Sequence, residues 1–234
     1  MEFSPIAHIR SEFPTKFGIP RQSGLVSSLR STIVFEPAYR NPDALRGIEG
    51  FSHLWLIWEF SQAHRKNWSP TVRPPRLGGN TRMGIFATRS PFRPNPIGLS
   101  CVRLEQVRPD SKYGTVLLVS GADLMDGTPI YDIKPYIPYA DAHPDAVGGF
   151  AREEPAPKLQ VDFPPRLLSL VPEDRRQALI GVLALDPRPS YQEDAARVYG
   201  MSFAEFNIRF TVHQTTLTVC AVEPASSDPR NSVF

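Results

Sequence analysis

Apolar and polar positions alternate with a period of two through much of the first 140 residues, and helical spacing is scarce there. Ile6-Ala7-His8-Ile9-Arg10 alternates and predicts a first strand. Thr32 to Phe35 predicts a second, closed by Pro37. Asn41 or Asp43 is placed to cap a short turn leading to Leu45 and Ile48. Phe51 to Phe60 is rich in aromatic and β-branched residues and predicts a buried strand. Further strands are predicted at Met83–Thr88, at Ile97–Val107 with a register shift near Arg103, at Thr115–Val119 and at Ile130–Ile133. About seven short strands with few helical patterns between them indicate a barrel or strongly bent sheet, not alternating βαβ units.

The character changes between Asp141 and Leu159, where small, polar, Pro/Gly-rich sequence predicts a linker. From Pro164 to Leu185, Leu167, Leu170, Val171, Leu179, Val182 and Leu183 fall at helical spacing, with Pro172 breaking the helix or starting a second one. Phe203–Val212 and Thr215–Val222 predict an antiparallel pair joined at His213-Gln214, with Phe206, Ile208, Phe210 and Val212 on one face. The expected organisation is mainly β: a barrel domain over 1–145, a linker over 146–160, a small α+β domain over 161–226, and a disordered tail over 227–234.

A chain of 234 residues that is 41% hydrophobic can bury the core of one large or two small domains. Its 25 prolines against 15 glycines agree with many turns and short helices. The two cysteines, Cys101 and Cys220, lie in apolar segments without CxxC spacing, so buried, reduced thiols in a cytoplasmic protein are expected. The first ten residues hold no signal-peptide core, and Ser52, His53 and Glu59 interrupt the most apolar run, so no membrane span is expected. Charge alters the picture more. No Asp or Glu occurs from Phe60 to Leu104, yet Arg65, Lys66, Arg73, Arg76, Arg82, Arg89, Arg93 and Arg103 do. The whole chain is only +2, so the remainder sums to −6. Clustered arginine on a Pro/Gly-rich backbone points to a rigid, basic, loop-lined site for an anionic partner.

Common catalytic signatures are missing. No GxGxxG follows a strand, there is no P-loop, GxSxG or HExxH, and the five histidines are scattered, so no metal site is expected. What remains are the runs PRQSGL (Pro20–Leu25), FSHLW (Phe51–Trp55), RPPRLGGN (Arg73–Asn80), GIFATRSPFRPNPIGLS (Gly84–Ser100) and DGTPIYDIKPY (Asp126–Tyr136). Together they resemble the TsaA-like family of tRNA methyltransferases. The resemblance covers Ile6 to Asp141, and extends more weakly through Leu185-Asp186-Pro187-Arg188-Pro189 and the hairpin at Phe206-Asn207.

That resemblance implies an S-adenosylmethionine-dependent methyltransferase built on a single-sheet β-barrel, working without metal and as a homodimer. Its implied substrate is the adenosine 3′ of a tRNA anticodon, already carrying a threonylcarbamoyl group on its exocyclic amine. The match places the donor near Ser23, Gly24 and Leu25, near Ser61 and Gln62, near Arg89 and Leu99, and near Gly121, Ala122 and Asp123. Arg89 could fork onto the donor's carboxylate. The acceptor nitrogen is a poor nucleophile until deprotonated or oriented. Asp126, Asp132 and Tyr136 are candidate bases or orienters, and Lys134 could stabilise negative charge. The alternative for Asp126-Gly127 is a plain turn. Arg73, Arg76, Arg82 and Arg93 suit phosphates of the tRNA anticodon loop, and Trp55, Trp58 or Phe92 could stack on a splayed base. A chain cut near Leu159 is expected to keep donor binding and lose grip on tRNA. The rival readings are a non-catalytic RNA-binding module and a methyltransferase acting on a small anionic molecule.

Overall fold

The computed structural model describes residues 3–151, 159–188, 194 and 196–225. Six antiparallel strands close into a barrel: β1 (Ala7–Arg10), β2 (Arg30–Phe35), β3 (His53–Glu59), β6 (Ile97–Asp110), β7 (Gly114–Ser120) and β8 (Pro129–Pro135). Their order around the barrel is β1-β2-β7-β6-β3-β8, and β8 pairs back onto β1. Two-residue strands β4 (Thr71–Val72) and β5 (Met83–Gly84) form a separate ribbon. The predicted strand at Met83–Thr88 therefore ends after Gly84. Ile85–Ala87 turns into a 3₁₀ segment, with Ile85 buried as its anchor.

Alternation decides which side chains fill the barrel. On β3, Leu54, Leu56 and Trp58 are buried while His53, Trp55, Ile57 and Glu59 are half-buried on the outer face. Phe51–Phe60 is thus a one-faced strand, and the predicted full burial applies to alternate residues only. The capping turn forms as expected, with Asn41 accepting from the Asp43 backbone N–H at 3.0 Å. The register shift expected in β6 falls one step later, between Leu104 and Gln106.

The second unit is a four-stranded sheet in the order β10-β11-β12-β9, with the last pair parallel. The strands are β9 (Gln160–Asp162), β10 (Tyr199–Phe203), β11 (Phe206–His213) and β12 (Thr216–Pro224). The predicted strand over Phe203–Val212 is two strands joined by Ala204-Glu205, with Ala204 at φ 51°. A short helix α1 (Pro138–Asp141) follows the barrel, and α2 (Pro165–Leu168) and α3 (Glu173–Ala184) are split at Pro172 as the sequence suggests. Leu170 falls in the gap between them and is exposed, so it leaves the apolar face it was assigned to. Cys220 is also exposed, contrary to expectation, because it takes the outer register of β12; Cys101 is half-buried. Residues 152–158 of the 146–160 linker and the whole 227–234 tail lie outside the described residues, as does Pro189. No described helix is long and apolar enough to cross a membrane.

There are two cores, and the second is not built from the second unit alone. The barrel interior packs Ala7, Ile9, Ile33, Leu54, Leu56, Val102, Leu117, Val119 and Ile130. The other core joins α3 and the four-stranded sheet to Phe13, Val26 and Leu29 from the β1–β2 loop. Phe13 meets Phe203 edge-on at 5.8 Å, and Arg175 of α3 bonds Glu12 at 3.1 Å and Glu205 at 2.5 Å. Each large side chain buried this way contributes about 1.5–3 kcal/mol. Cutting the chain near Leu159 would strip that cover from the loop carrying Ser23, Gly24 and Leu25, which shares its core with the second unit.

Gly98 lies on the inner face of β6 under the Trp58 indole, and a Cβ placed there would meet the ring at 2.3 Å. Gly98→Ala should cost about 1–3 kcal/mol through displacement of Trp58. Thermal melts followed by tryptophan fluorescence check this; an unchanged melting temperature would show that the indole relaxes freely.

Candidate functional site

Between Ile97 and Arg103, β6 is hydrogen-bonded to β3; its pairing with β7 begins only at Arg103. The free edge is filled by loops. The Cys101 N–H donates to Ser23 Oγ at 3.2 Å, and Ser100 Oγ donates to Asp123 Oδ1 at 2.5 Å. Trp58 Nε1 donates to Ser100 Oγ at 2.9 Å, which completes a chain from the barrel interior to Asp123. The two loops touch backbone to backbone, with Gly24 N donating to Gly121 O at 2.8 Å. Both glycines have positive φ, +81° and +77°, and a Cβ on Gly121 would sit 3.2 Å from Gly24 N and Cα. Only glycine fits that approach. Arg89 is held over the same loops by donating to Gln22 Oε1.

Ser23, Gly24, Arg89, Gly121, Ala122 and Asp123 are therefore one group, with Leu25 next to it in the chain. Ser61 and Gln62 are exposed on the turn after β3, and no side-chain hydrogen bond among the described residues ties them to it. Leu99 adjoins Ser100 but takes the opposite face of β6 and is 56% exposed. Gln22 and Ser100, which tie Arg89 and Asp123 into the group, were not singled out from the sequence. The available signal for Ser100 was a hydroxyl at an inward position of an alternating strand.

Burial drives the Asp123 carboxyl above its ordinary range, although the Ser100 hydrogen bond and the nearby Arg89 charge pull it down. A half-buried carboxylate whose hydrogen bonds and neighbouring Arg89 do not offset the cost of its burial is suited to receive a cation or a pair of hydroxyls.

The acid/base candidates divide. Asp126 accepts from the Ser11 N–H at 3.1 Å and lies 3.5 Å from Arg10, so it braces the turn at Gly127. Asp132 and Lys134 pair at 3.0 Å on the outer face of β8. Tyr136 packs against Trp55 and His53 at the same end. In register, Asp132 lies beside Ile57, which lies beside Leu99, so Asp132 is two strand spacings, about 10 Å, from the Leu99 position.

The basic loop keeps its charge free. Among the described residues no carboxylate lies within ion-pair reach of Arg65, Arg73, Arg76, Arg82, Arg89 or Arg93. Glu59, at its border, is occupied by His64 at 2.6 Å and the Tyr131 hydroxyl at 2.7 Å. Arg93 donates to Thr88 O at 2.6 Å and so shapes the loop, while Arg73, Arg76 and Arg82 are exposed. Among the described residues no group of three or more His, Cys, Asp or Glu is placed to hold a metal.

A closed antiparallel barrel with a glycine-lined group at a free strand edge, beside an arginine loop without acids, belongs with the β-barrel methyltransferases rather than the Rossmann ones. Residues 8–142 match the tRNA-methyltransferase O N-terminal domain and residues 156–225 the TrmO C-terminal domain, so the chain belongs to the tRNA-methyltransferase O family. It is 45% identical over 231 residues to a tRNA (adenine(37)-N6)-methyltransferase of Escherichia coli, covering 95% of this chain and 98% of that protein. A protein of the same name from Eikenella corrodens is 44% identical over 173 residues, 74% of this chain and 97% of that one. A crystal structure of TrmO from Pseudomonas aeruginosa superposes with a TM-score of 0.78 at 35% identity, covering 96% of this chain and 97% of that one. The family expected from the quoted runs is borne out.

The chemistry of the group fits S-adenosylmethionine. Asp123 offers a carboxylate to an ammonium or ribose, Arg89 an unpaired guanidinium to a carboxylate, and the two glycines a bare backbone edge.

The raised pKa of Asp123 has a stability consequence with a definite sign. A carboxyl raised on folding contributes stability at low pH and loses it as pH rises through the folded value, so ionised Asp123 weakens the fold at neutral pH. Asp123→Asn should therefore melt no lower than the parent at pH 7, and should lose about 1.5–3 kcal/mol of donor affinity. Melts and calorimetry with S-adenosylmethionine check both; a lower melting temperature would assign Asp123 to the fold instead.

Proposed function

We propose that the chain transfers the methyl group of S-adenosylmethionine to the exocyclic N6 of the threonylcarbamoyl-modified adenosine next to the tRNA anticodon. The observation that carries this is the coincidence, at one free strand edge, of Asp123, Arg89 and the Gly24–Gly121 contact in a chain of this family. Ser23, Gly24, Leu25, Gly121, Ala122 and Asp123 would hold the donor, with Arg89 on its carboxylate. When bound, S-adenosylmethionine supplies an electrophilic methyl group on a sulfonium.

The chain's own residues must then orient the acceptor nitrogen and take its proton. That N–H lies between a purine and a carbonyl, so its lone pair is delocalised. Asp126 is committed to the Ser11 turn. Asp132 is the better candidate because only an exposed, movable partner occupies it: it would accept the proton at Oδ2 as Lys134 swings from that oxygen to offset negative charge on the acceptor, with Tyr136 bounding the acceptor. Arg73, Arg76 and Arg82 meet phosphates. A homodimer is part of the proposal. Its support is the outer face of β6, where Ile97 (44% exposed) and Leu99 (56% exposed) stand uncovered, an apolar pair a second copy would cover at the border of the acceptor face. A cytoplasmic location follows from the tRNA substrate and the free thiols. The barrel and the second unit would act as one body, with the division 1–145 and 161–226 marking sequence organisation rather than independent function. Sedimentation at micromolar concentration tests the dimer.

Mass spectrometry of tRNA nucleosides after incubation with protein and donor decides the activity. The expected result is one methyl on threonylcarbamoyladenosine, and its absence with fully modified tRNA would reject the reading. Arg89→Ala should weaken donor binding by about 1.5–3 kcal/mol, the range for a hydrogen bond to a charged group. Arg76→Ala or Arg82→Ala should each flatten the slope of log tRNA affinity against log salt by about one contact and leave donor affinity unchanged. A parent-like slope with a lower melting temperature would make them internal braces.

A further inference from the structure

The stacking residues expected from the sequence are already committed. Trp58 fills the barrel and bonds Ser100, Trp55 Nε1 bonds Asp141 at 3.1 Å, and the Phe92 ring is covered by the Arg65 guanidinium at 3.7 Å. Two other rings in the acid-free loop are not. Phe86 is 74% exposed and Trp68 is 50% exposed. Their centroids lie 6.1 Å apart at an interplanar angle of 35°. Arg93 sits 6.0 Å from the Phe86 centroid, its guanidinium pinned by Thr88 O.

Large aromatic rings left in water call for an explanation, and nothing in the fold depends on these two. The backbone beneath them is fixed. Ile85 is buried beside Phe86 and its N–H donates to Pro70 O at 2.9 Å, while Thr71–Val72 and Met83–Gly84 pair as a ribbon between the two rings in the chain. The platform is thus preformed, so ordering it on binding costs little. The charge around it selects the occupant. Arg65, Lys66, Arg82, Arg89 and Arg93 surround it in sequence with no acidic residue between Phe60 and Leu104. A symmetric contact between two copies centred here would set like charges against each other. A single-stranded nucleic acid offers both complements, π-faces for the rings and phosphates for the arginines.

We infer that Phe86 and Trp68 form a stacking platform for an unpaired base of the RNA substrate, flanking the base that is modified. This rests on the tRNA reading above and adds to it the residues that hold the loop open. Stacking reads π-faces rather than hydrogen-bond patterns, so the platform tolerates any base at that position.

The test uses the full chain and an anticodon stem-loop RNA. Titrating the RNA should quench tryptophan fluorescence in the parent. Trp68→Phe should bind with similar affinity but lose most of the quench. Phe86→Ala should weaken RNA binding roughly 5- to 150-fold, the range for one stacked base, and Phe86→Tyr should restore it. Donor affinity by calorimetry should stay at the parent value in all three. An RNA made abasic at one loop position should bind the parent and Phe86→Ala equally, which identifies the stacked base. If the parent binds no RNA, the tRNA reading fails and takes this inference with it. If the parent binds and Phe86→Ala binds as well, the platform alone is overturned. If Phe86→Ala instead dissociates a dimer in sedimentation, the rings are a contact between copies and the inference is overturned.

Discussion

The structure depends on the burial of the β1–β2 loop beneath the second unit. Phe13, Val26 and Leu29 are as buried as any residue of the barrel, yet they point out of it, into a core shared with α3 and the four-stranded sheet. Removing one such side chain costs about 2–5 kcal/mol, a large share of the 5–15 kcal/mol that separates a domain from its unfolded chain. The loop between these anchors spans Ser23, Gly24 and Leu25. Gly24 reaches Gly121, and Ser23 caps the free edge of β6, only because Phe13 on one side and Val26 and Leu29 on the other hold the ends down. A loop of this length tethered only at its strand ends would sample many conformations. The second unit removes that freedom, and none of its described residues belongs to the cluster around Gly24, Gly121 and Asp123.

Electrostatics works against stability in the same place. Asp123 stays in a setting that burial makes unfavourable for its charge, and Arg65, Arg73, Arg76, Arg82, Arg89 and Arg93 go without carboxylate partners among the described residues, while Arg103 at the window's end reaches Glu105 at 3.4 Å. Each is a cost in the isolated protein, and each falls when a ligand of opposite charge arrives. A fold optimised only for stability would pair Arg89 with a carboxylate; here it bonds Gln22, a neutral partner that positions the guanidinium without discharging it. Glu59 and Glu105 show the contrast. They stand at the two ends of the basic window and are satisfied locally, by His64 and Tyr131 and by Ser120 respectively.

Strand alternation made the barrel legible in the sequence, because one buried face imposes a period of two on each strand. It failed where conformation is set by a single left-handed residue. Ala204 turns β10 into β11 at positive φ without glycine, so no turn signal marked Ala204-Glu205 and the segment read as one strand, whereas the expected turn at His213-Gln214 forms although Gln214 also has positive φ. β9 has three residues and pairs in parallel with β12, a long-range match that no local pattern announces. The meeting of the Gly24 and Gly121 loops beneath Arg89 was legible through the glycines, since short motifs record local backbone demands. Ser61, Gln62 and Leu99 stand apart from the Gly24–Gly121 contact, on a turn or on the opposite strand face. The exposed rings were harder still: Trp68 and Phe86 look like core residues in the sequence, and only the ribbon geometry leaves them uncovered.

The location of the site follows from a mismatch of strand lengths. β6 has fourteen residues and β7 seven, so β7 can pair with only one half of its neighbour. β6 meets this by bulging at Glu105 and dividing its length, the half from Ile97 pairing with β3 and the half from Arg103 pairing with β7. A bulge sharpens the local bend and twist, which lets six strands close while the first half of β6 keeps one edge without a strand. Backbone donors along such an edge must still be satisfied, and here a serine hydroxyl from the β1–β2 loop satisfies one of them. Lengthening β7 to pair with all of β6 would displace Ser23 and close the gap where Ser100 meets Asp123. The barrel is thus completed with one edge assigned to loops, and the cluster of Ser23, Gly24, Gly121 and Asp123 stands there because that is where the sheet needs polar cover from outside itself.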